Sequence, residues 1–189
     1  MNYFIADTHF GHKNALSYDN RPFITIEDHD EYLINSWNNA VSYDDDVYIL
    51  GDVSWHNATT TNEILDKLNG NKHLIIGNHD KKLLRNKVFQ NHFQEITSYK
   101  ELPCGDGKTI VLCHYPIPCF NNHYYGSYHL YGHVHNGFEW NMMKNVRFQM
   151  EELYEVPCNM YNVGAMIPYM NYTPRTLEEI MKGDLNDRL

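Results

Sequence analysis

The amino-acid sequence predicts an α/β fold with more β-strands than one sheet comfortably holds. Short apolar or aromatic runs rich in β-branched residues recur along the chain, and segments with helical spacing lie between them. The chain has 189 residues, 42% of them hydrophobic, and no linker rich in proline, glycine or serine. We therefore expect a single domain covering residues 1–189, long enough to bury a sizeable core.

The strand predictions rest on runs of four or five residues. The clearest are residues 3–6, 47–50, 73–76, 109–113 and 128–131. A further strand is predicted over 93–102, a tight turn over 104–108, and a late strand and turn over 161–164. Residues 136–159 fit neither the strand nor the helix period, so no element is predicted there.

Helical spacing first appears in Leu33, Trp37 and Val41, which follow two acidic residues that suit a helix start. A second helix is predicted over residues 61–69, with Gly70 positioned to end it. Both helices should cover one face of a sheet.

Two shorter helices complete the predicted elements. Asp80 can cap a short helix that bears Leu83, Leu84 and Val88, and its N-terminus would favour an anion. A closing helix is predicted over residues 173–182, where Thr176 and Glu179 form a candidate capping box..

Each of the five clearest strands ends in residues that can bind a metal ion. In chain order the endings read Asp7-Thr8-His9, Gly51-Asp52, Gly77-Asn78-His79-Asp80, His114 and Gly132-His133-Val134-His135. In layered α/β folds, ligands collect in the crevice outside the carboxyl ends of the strands. The predicted metal donors are Asp7, His9, Asp52, Asn78, His114, His133 and His135.

Seven donors are too many for one tetrahedral ion that must also keep a position open. Two divalent ions ~3.5–4 Å apart fit this number if one carboxylate bridges them, because each ion then has about four protein donors. Asp52 is the bridging candidate. Two aspartates against two divalent ions leave positive charge, which would attract a phosphate anion. Imidazole, carboxylate and amide donors suit manganese, iron, nickel or zinc.

The ordered motifs resemble the signature of the calcineurin-like metallophosphoesterases, and they span Asp7 to His135, most of the chain. Within that superfamily the chain is similar to small stand-alone bacterial and phage-borne phosphoesterases. Those proteins share the early Asp-Thr-His-Phe-Gly-His run and an Arg-Pro-Phe sequence followed by a helix. The resemblance implies a four-layer α-β-β-α sandwich of two mixed β-sheets flanked by helices.

The resemblance also implies hydrolysis of a phosphodiester or small phosphoester by in-line attack of a metal-bridging hydroxide. One ion site would be completed by Asp7, His9 and His135, and the other by Asn78, His114 and His133. Asp52 would be shared, and His79 would stay unligated and assist the leaving group, which suits an imidazole near neutral pH. Asp52 and His79 would thus carry the catalytic roles.

The chain departs from the superfamily pattern at Trp55. Protein serine/threonine phosphatases of this superfamily carry an aspartate there, three positions after the metal-binding one, and it orients the catalytic histidine. The tryptophan weakens a protein-phosphatase interpretation. It also leaves the orienting partner of His79 open, with Asp80 or a backbone carbonyl as the alternatives.

Substrate contacts are predicted for Asn78, His79, Arg21 and His12. Arg21 could clamp a phosphate or pin its loop to an acidic neighbour, and both alternatives stay open. His12, like His56, lies in a loop just beyond a ligand and is expected mainly to orient the residues that bind metal. The five tyrosines between residues 115 and 131 form either a stacking wall or a self-packed loop, with the loop slightly favoured.

The remaining histidines and the cysteines are expected to be structural. The histidines in this group are His29, His73, His92, His123 and His129. The four cysteines include no Cys-x-x-Cys pair and are expected to be reduced thiols, with Cys113 packed in the core.

The net charge of −9 argues against a broad electrostatic footprint for duplex nucleic acid. A small phosphoester, a nucleotide or a short single strand is the expected substrate. With no apolar segment of membrane-spanning length and no leader pattern, we expect a cytoplasmic protein without a membrane partner. The alternatives are a nuclease or nucleotide hydrolase and, less favoured, a non-catalytic scaffold that keeps the fold for protein contacts.

Overall fold

The computed structural model describes residues 1–187, and eight β-strands in this part of the chain form two four-stranded sheets. The strands are β1 (Asn2–Ile5), β2 (Asp46–Ile49), β3 (Asn71–Ile75), β4 (Phe93–Thr97), β5 (Tyr99–Pro103), β6 (Thr109–Cys113), β7 (Tyr128–Tyr131) and β8 (Asn159–Asn162). The helices are α1 (Lys13–Tyr18), α2 (Ile26–Ala40), α3 (Ala58–Lys67), α4 (Lys87–Asn91), α5 (Phe138–Phe148) and α6 (Leu177–Asp187). The predicted α/β class with helices flanking two sheets is confirmed.

The first sheet has the order β1-β2-β3-β4 and is parallel throughout. Helices connect its successive strands, as parallel pairing requires. The second sheet has the order β5-β6-β7-β8, and only β5 runs antiparallel to its neighbour. The prediction of two mixed sheets is therefore correct for the second sheet and wrong for the first.

The predicted single strand over residues 93–102 is two strands that belong to different sheets. β4 pairs with β3, whereas β5 pairs with β6, and the chain changes sheet at Ser98. The continuous strand-like composition hid this boundary because Ser98 carries no strong turn signal. The predicted turn over 104–108 does connect β5 to β6.

Local capping explains where the helices begin. Thr25 caps α2 and exchanges hydrogen bonds with Asp28, and Thr176 and Glu179 exchange the same pair of bonds at the start of α6, as predicted. Asn57 caps α3, which begins at Ala58, three residues before the predicted start. The predicted Asp80 cap is wrong, because Asn86 caps α4 instead.

One hydrophobic core contains residues of both sheets, among them Phe4 and Ile49 from the first and Leu112 and Leu130 from the second. The two sheets also meet at β1, where Ala6 exchanges 2.8 Å backbone hydrogen bonds with the chain that follows β8. This arrangement brings the carboxyl ends of strands from both sheets to a common rim.

The segment without a predicted element is α5, followed by a π-helical turn over Gln149–Leu153. No side chain of either element is fully buried, and Phe138 and Phe148 are largely exposed. Trp140, Met143 and Met150 are only half-buried against the core, so the helical period in the sequence is weak. None of the helices within residues 1–187 is both long and apolar enough to cross a bilayer.

Candidate metal centre

The predicted donors converge at the rim formed by the carboxyl ends of β1, β2, β3, β6 and β7. These donors include two groups of three residues, and within each group the ligand atoms all lie within 4.8 Å of one another. The first group is Asp7, His9 and His135, and the second is Asp7, Asp52 and His114. Side chains up to 128 residues apart in sequence therefore share one small volume, with Asp7 common to both groups.

The first group is compact. The Nε2 atoms of His9 and His135 lie 3.1 Å apart, and each is 3.9 Å from Oδ1 of Asp7. Nitrogen ligands 2.0–2.1 Å from a tetrahedral ion would be roughly 3.3 Å from one another. The three atoms thus have the spacing of ligands around one cation.

Asn78 and His133 lie beside the Asp52 and His114 atoms of the second group. Oδ1 of Asn78 lies 2.9 Å from Nε2 of His114 and 3.0 Å from Nδ1 of His133. Oδ2 of Asp52 lies 3.6 Å from Nε2 of His114. The side chains of Asp52, Asn78, His114 and His133 therefore face one another across a second small space.

The backbone at the rim is unusually left-handed. Asp7, His9, Asp52, His133 and His135 all have φ between 45° and 70°. Residues with a Cβ rarely adopt this conformation, and such strain persists where the surrounding structure holds it for a function. Five of the seven predicted donors share it.

Two glycines let the strand ends approach one another. A Cβ on Gly77 would lie 2.3 Å from Oδ1 of Asp52, and a Cβ on Gly132 would lie 2.6 Å from Oδ2 of Asp7. Any side chain at either position would push a carboxylate out of the rim. The Gly-Asn-His and Gly-His-x-His motifs therefore need their glycines for this packing.

Neighbouring groups orient the donor histidines. Nδ1 of His114 lies 2.7 Å from the Leu50 carbonyl, which makes this nitrogen the donor and leaves Nε2 free to bind. Nδ1 of His135 lies 2.7 Å from Oδ1 of Asp19, and the backbone N–H of His133 donates to Oδ2 of Asp7 at 2.9 Å. Asp19 could not be predicted from the sequence, because a single aspartate in a polar loop carries no signal of its own.

Arg21 is buried behind the rim, so the structure favours the second of its two predicted roles. Its Nε and Nη2 donate to Asp19 at 3.0 and 2.8 Å, and Nη2 and Nη1 also donate to the carbonyls of Asp7 and Thr8. Nη1 also lies 2.9 Å from the His29 ring. With all five N–H groups engaged, Arg21 braces the ligand loop and has no donor left for a phosphate.

Asp80 has a different role from the two considered for it. Its buried carboxylate accepts hydrogen bonds from the backbone N–H groups of Asp52, Val53 and Gly77, at 2.8–3.0 Å. It therefore fixes two ligand loops against each other and does not contact the His79 ring. Burial raises the pKa of Asp80.

His79 lies at the open side of the rim, with about half of its side chain exposed. Its backbone N–H donates to Oδ1 of Asp52 at 2.9 Å, and its Nε2 is 3.9 Å from Oδ2 of Asp52. The ring packs 4.3 Å from Trp55, and His12 stacks on Trp55 at 4.0 Å. His12 is thus close to His79 through an intervening indole.

Charge and burial set the protonation of the donors. Burial raises the pKa of Asp7 to about 6 and lowers the pKa of His9 and of His133. Burial also opposes protonation of His135, but its hydrogen bond to Asp19 and the nearby charge of Asp7 raise its pKa overall. Two imidazoles are therefore held neutral, the form that binds metal.

The donor set fits a cation. Oδ1 of Asp7 is buried and has no hydrogen-bond partner within residues 1–187. A buried carboxylate oxygen without a partner costs several kcal/mol, whereas a bound cation would compensate it. The free oxygen of Asp7 faces His9 and His135, which are the other members of the first group.

The other histidines have protein partners away from the rim. Both ring nitrogens of His29 and of His129 have partners, and His73 pairs with Asp46 at 2.9 Å. Nδ1 of His123 lies 2.9 Å from the Phe120 carbonyl, and His92 lies 3.8 Å from Asp66. His56 contacts Asp30 at 2.9 Å, and Asp30 in turn accepts from the Gly11 N–H in the loop that follows His9.

The tyrosine-rich segment between residues 115 and 131 is divided. Tyr115, Tyr124 and Tyr125 are exposed, whereas Tyr131 is buried. Tyr115 is the one nearest the rim, with its ring 4.7 Å from His133.

All four cysteines are free, and Cys113 is buried as predicted.

Comparison with family models finds no match. A search of curated proteins finds the uncharacterized protein MJ1445 of Methanocaldococcus jannaschii, 31% identical over 95% of this chain and 89% of that protein. The Gene 66 protein of Mycobacterium phage L5 is 37% identical over 83 residues, which cover 41% of this chain and 39% of that protein.

Among solved structures, the protein of unknown function AQ665 from Aquifex aeolicus superposes with a TM-score of 0.71 at 27% identity. The match covers 96% of this chain and 98% of that one. The fold of the two proteins is therefore the same over almost their whole length. Taken with the near-complete 31% match, the chain belongs to the same protein family as MJ1445 of Methanocaldococcus jannaschii.

Proposed function

We propose that this protein is a calcineurin-like, binuclear metal-dependent phosphoesterase with a four-layer α-β-β-α fold. Its two ions would be manganese, iron, nickel or zinc. Its substrate would be a phosphodiester or another small phosphoester. The proposal is supported by the resemblance of the ordered motifs and by the convergence of the same residues in space.

One observation carries the proposal. Oδ1 of Asp7 is fully buried without a hydrogen-bond donor and lies 3.9 Å from two imidazole nitrogens. A cation at this point would compensate the carboxylate and occupy the lone pairs of His9 and His135 at once. A structural polar cluster would instead supply a donor to that oxygen.

The chain offers donors for two ions. Asp7, His9 and His135 would hold one, Asn78, His114 and His133 the other, and Asp52 would reach both. When bound, a pair of divalent ions lowers the pKa of water and draws charge from a phosphate oxygen. The protein fixes the donors through Asp19, Asp80 and the Leu50 carbonyl, so little reorganisation is needed on binding.

His79 would supply a proton to the leaving oxygen. Its backbone N–H is tied to Asp52, so the side chain stays beside the rim, while its exposed edge can reach a bound phosphoester. An imidazole near neutral pH suits general acid catalysis, which contributes about 10²–10⁴-fold. Asn78 and His79 would both face the bound phosphate.

Tyr115 favours nucleotide hydrolysis as a second candidate within the same chemistry. Its side chain is exposed next to His133, at a position from which it could stack on a base. A nucleotide or a short single strand would then bind with its phosphate at the rim and its base on this ring.

The direct experiment removes metal with a chelator and restores manganese, iron, nickel or zinc one at a time. Each form is assayed on p-nitrophenyl phosphate, bis(p-nitrophenyl) phosphate, cyclic nucleotides and short oligonucleotides. We expect turnover only after metal is restored. Turnover that survives full chelation, or none with any metal, contradicts the proposal.

Two nearly isosteric variants separate binding from catalysis. Asp7→Asn should lose at least one ion and most of the turnover, because it removes the unpartnered carboxylate. His79→Gln should keep two ions and lower turnover about 10²-fold or more. Loss of both ions in His79→Gln would mean that this histidine is a ligand and that its assigned role is wrong.

A further inference from the structure

We infer that Trp55 positions His79 for proton transfer by packing against its imidazole. The inference rests on the proposed function, because it concerns the proton that His79 gives to the leaving oxygen. In that step the N–H bond of the imidazolium breaks, an O–H bond forms on the departing alcohol, and neutral imidazole is left to regain a proton from water.

His79 lacks the hydrogen bond that would normally orient a catalytic imidazole. Within residues 1–187, no protein group lies within hydrogen-bond distance of either ring nitrogen, and the Asp52 carboxylate is 3.9 Å away. Asp80, the other acidic candidate, is occupied with three backbone N–H groups. Another contact must therefore hold the ring.

Trp55 provides that contact. Its ring centroid is 4.3 Å from that of His79, with the two planes inclined by 47°. Aromatic rings at this separation attract one another and restrict rotation about the side-chain bonds. The position is three residues after Asp52, so one strand-end loop carries both a metal donor and the contact to His79.

Trp55 is itself firmly held. Its backbone N–H donates to the Phe10 carbonyl at 2.8 Å, beside a parallel bridge between Phe10 and Ser54. His12 stacks on the indole at 4.0 Å with an interplanar angle of 11°, and the His9 ring meets it edge-on at 4.8 Å. The indole is thus anchored to the loop that carries the first metal donors.

These contacts argue against a substrate-stacking role for Trp55. His12 already lies flat against the indole, and the His79 ring also packs on it. A base would have to displace an imidazole to stack there. Among the described residues, Tyr115 has no such parallel partner, and it is the better candidate for a substrate contact.

Leaving groups of different basicity provide the first test. A p-nitrophenolate departs without protonation, whereas an alkoxide needs the proton. Trp55→Leu should keep two ions and hydrolyse nitrophenyl esters within about threefold of the wild type. On alkyl esters its kcat should fall by roughly 10–100-fold with KM nearly unchanged, since a small displacement of a catalytic group can cost about 10²-fold.

Matched variants test whether Trp55 acts through its contact with His79. Trp55→Phe keeps a ring and should recover most of the alkyl-ester rate, and Tyr43→Leu, an exposed aromatic at the opposite end of β2, should change nothing. Trp55→Leu combined with His79→Gln should be no slower than His79→Gln alone, because both remove the same step. Additive losses, or loss of ions from Trp55→Leu, overturn the inference.

A second test needs no turnover. In the zinc-loaded and the metal-free protein, the ring protons of His79 should show a ring-current shift that disappears in Trp55→Leu, with the signal assigned by its absence from His79→Gln. An unchanged shift overturns the inference even in an active enzyme. If the shift is found but no metal supports hydrolysis, the ring contact stands, whereas the proposed function and the proton-transfer role fail.

Discussion

Two sets of histidines in this protein differ in what surrounds their ring nitrogens. At the rim, His9, His114, His133 and His135 aim nitrogens at one another and at carboxylate or amide oxygens. In the interior, His29 and His129 are as buried as His9 and His114, but each of their nitrogens has its own protein partner.

The interior histidines are complete without a ligand. His129 contacts the Val111 carbonyl through one nitrogen, and the N–H of Ile117 donates to the other. At the rim, by contrast, Oδ1 of Asp7 has no partner within the described chain, and it lies 3.9 Å from two imidazole nitrogens. Convergence with unsatisfied atoms, and not burial itself, is what distinguishes a binding site from a packed polar core.

The largest expected effect comes from removing a rim nitrogen. In His9→Gln we expect the number of bound ions to fall from two to one and kcat to fall by about 10²–10³-fold, the cost of losing one charge-stabilising group in an active site. Elemental analysis and a steady-state assay on the same sample measure both. If His9→Gln keeps two ions and its turnover is unchanged, the rim histidines do not differ from the interior histidines in metal binding.

The interior set should instead affect stability in acid. Burial lowers the pKa of His129 to about 4 from its ordinary 6.5, so the unfolded chain binds more protons between these values. Stability is therefore present above about pH 6.5 and is lost as the pH falls toward 4. At 1.36 kcal/mol per pKa unit, the loss reaches about 3 kcal/mol.

Urea unfolding of chelated protein at pH 7 and pH 4.5 checks this expectation. His129→Gln should be less stable at pH 7 but should lose about 2–3 kcal/mol less between the two pH values than the wild type. Equal losses in both proteins would show that His129 protonates freely in the folded state.

A smaller effect is expected at Asp19, which contacts the predicted metal donor His135 but is not itself a predicted donor. Asp19→Asn removes the charge that holds His135 but keeps its shape, and loss of such a supporting group typically costs 10–100-fold in metal affinity. Metal titration followed by calorimetry should show one weakened site and one unchanged site. Equal weakening of both sites would mean that the two groups of donors do not bind separately.

The smallest effect should come from a partly exposed histidine. His73 pairs with Asp46 on the first sheet, and pairs near the surface contribute about 0–1 kcal/mol. His73→Gln should lower the free energy of unfolding by less than about 1 kcal/mol and leave metal content unchanged. A change in metal binding would show that effects pass through the sheet to the rim.

The rim was largely predictable from the sequence because two simple rules coincide there. Side chains after short apolar runs end at strand termini, and parallel strands bring those termini to one edge. Positions as distant as Asp7 and His135 could therefore be placed together without knowing the complete fold. Only their identity as N or O donors was needed.

The supporting groups were less predictable because they depend on side-chain direction. Asp19, Arg21 and Asp80 lie in loops, where sequence spacing does not fix what a side chain faces. The sequence motifs point to Arg21 and Asp80, but the structure gives them bracing roles, and no motif points to Asp19. The contact between Trp55 and His79 likewise needs the three-dimensional path of both loops.

The fold was predicted in outline and missed where the pattern of buried apolar residues is weak or continuous. The boundary between β4 and β5 lies within a continuous strand-like run, and α5 buries no complete side chain. Neither the β4–β5 boundary nor α5 produces a clear alternation or helical spacing of apolar residues in the sequence. The first sheet is wholly parallel because helical crossovers join its strands, whereas the family resemblance implied a mixed sheet.

Anomalous diffraction from crystals grown with saturating manganese or zinc tests the central claim most directly. We predict two peaks about 3.5–4 Å apart at the rim, one beside Asp7, His9 and His135, the other beside Asn78, His114 and His133, with the Asp52 carboxylate between them. A single peak, or none, would contradict the binuclear centre.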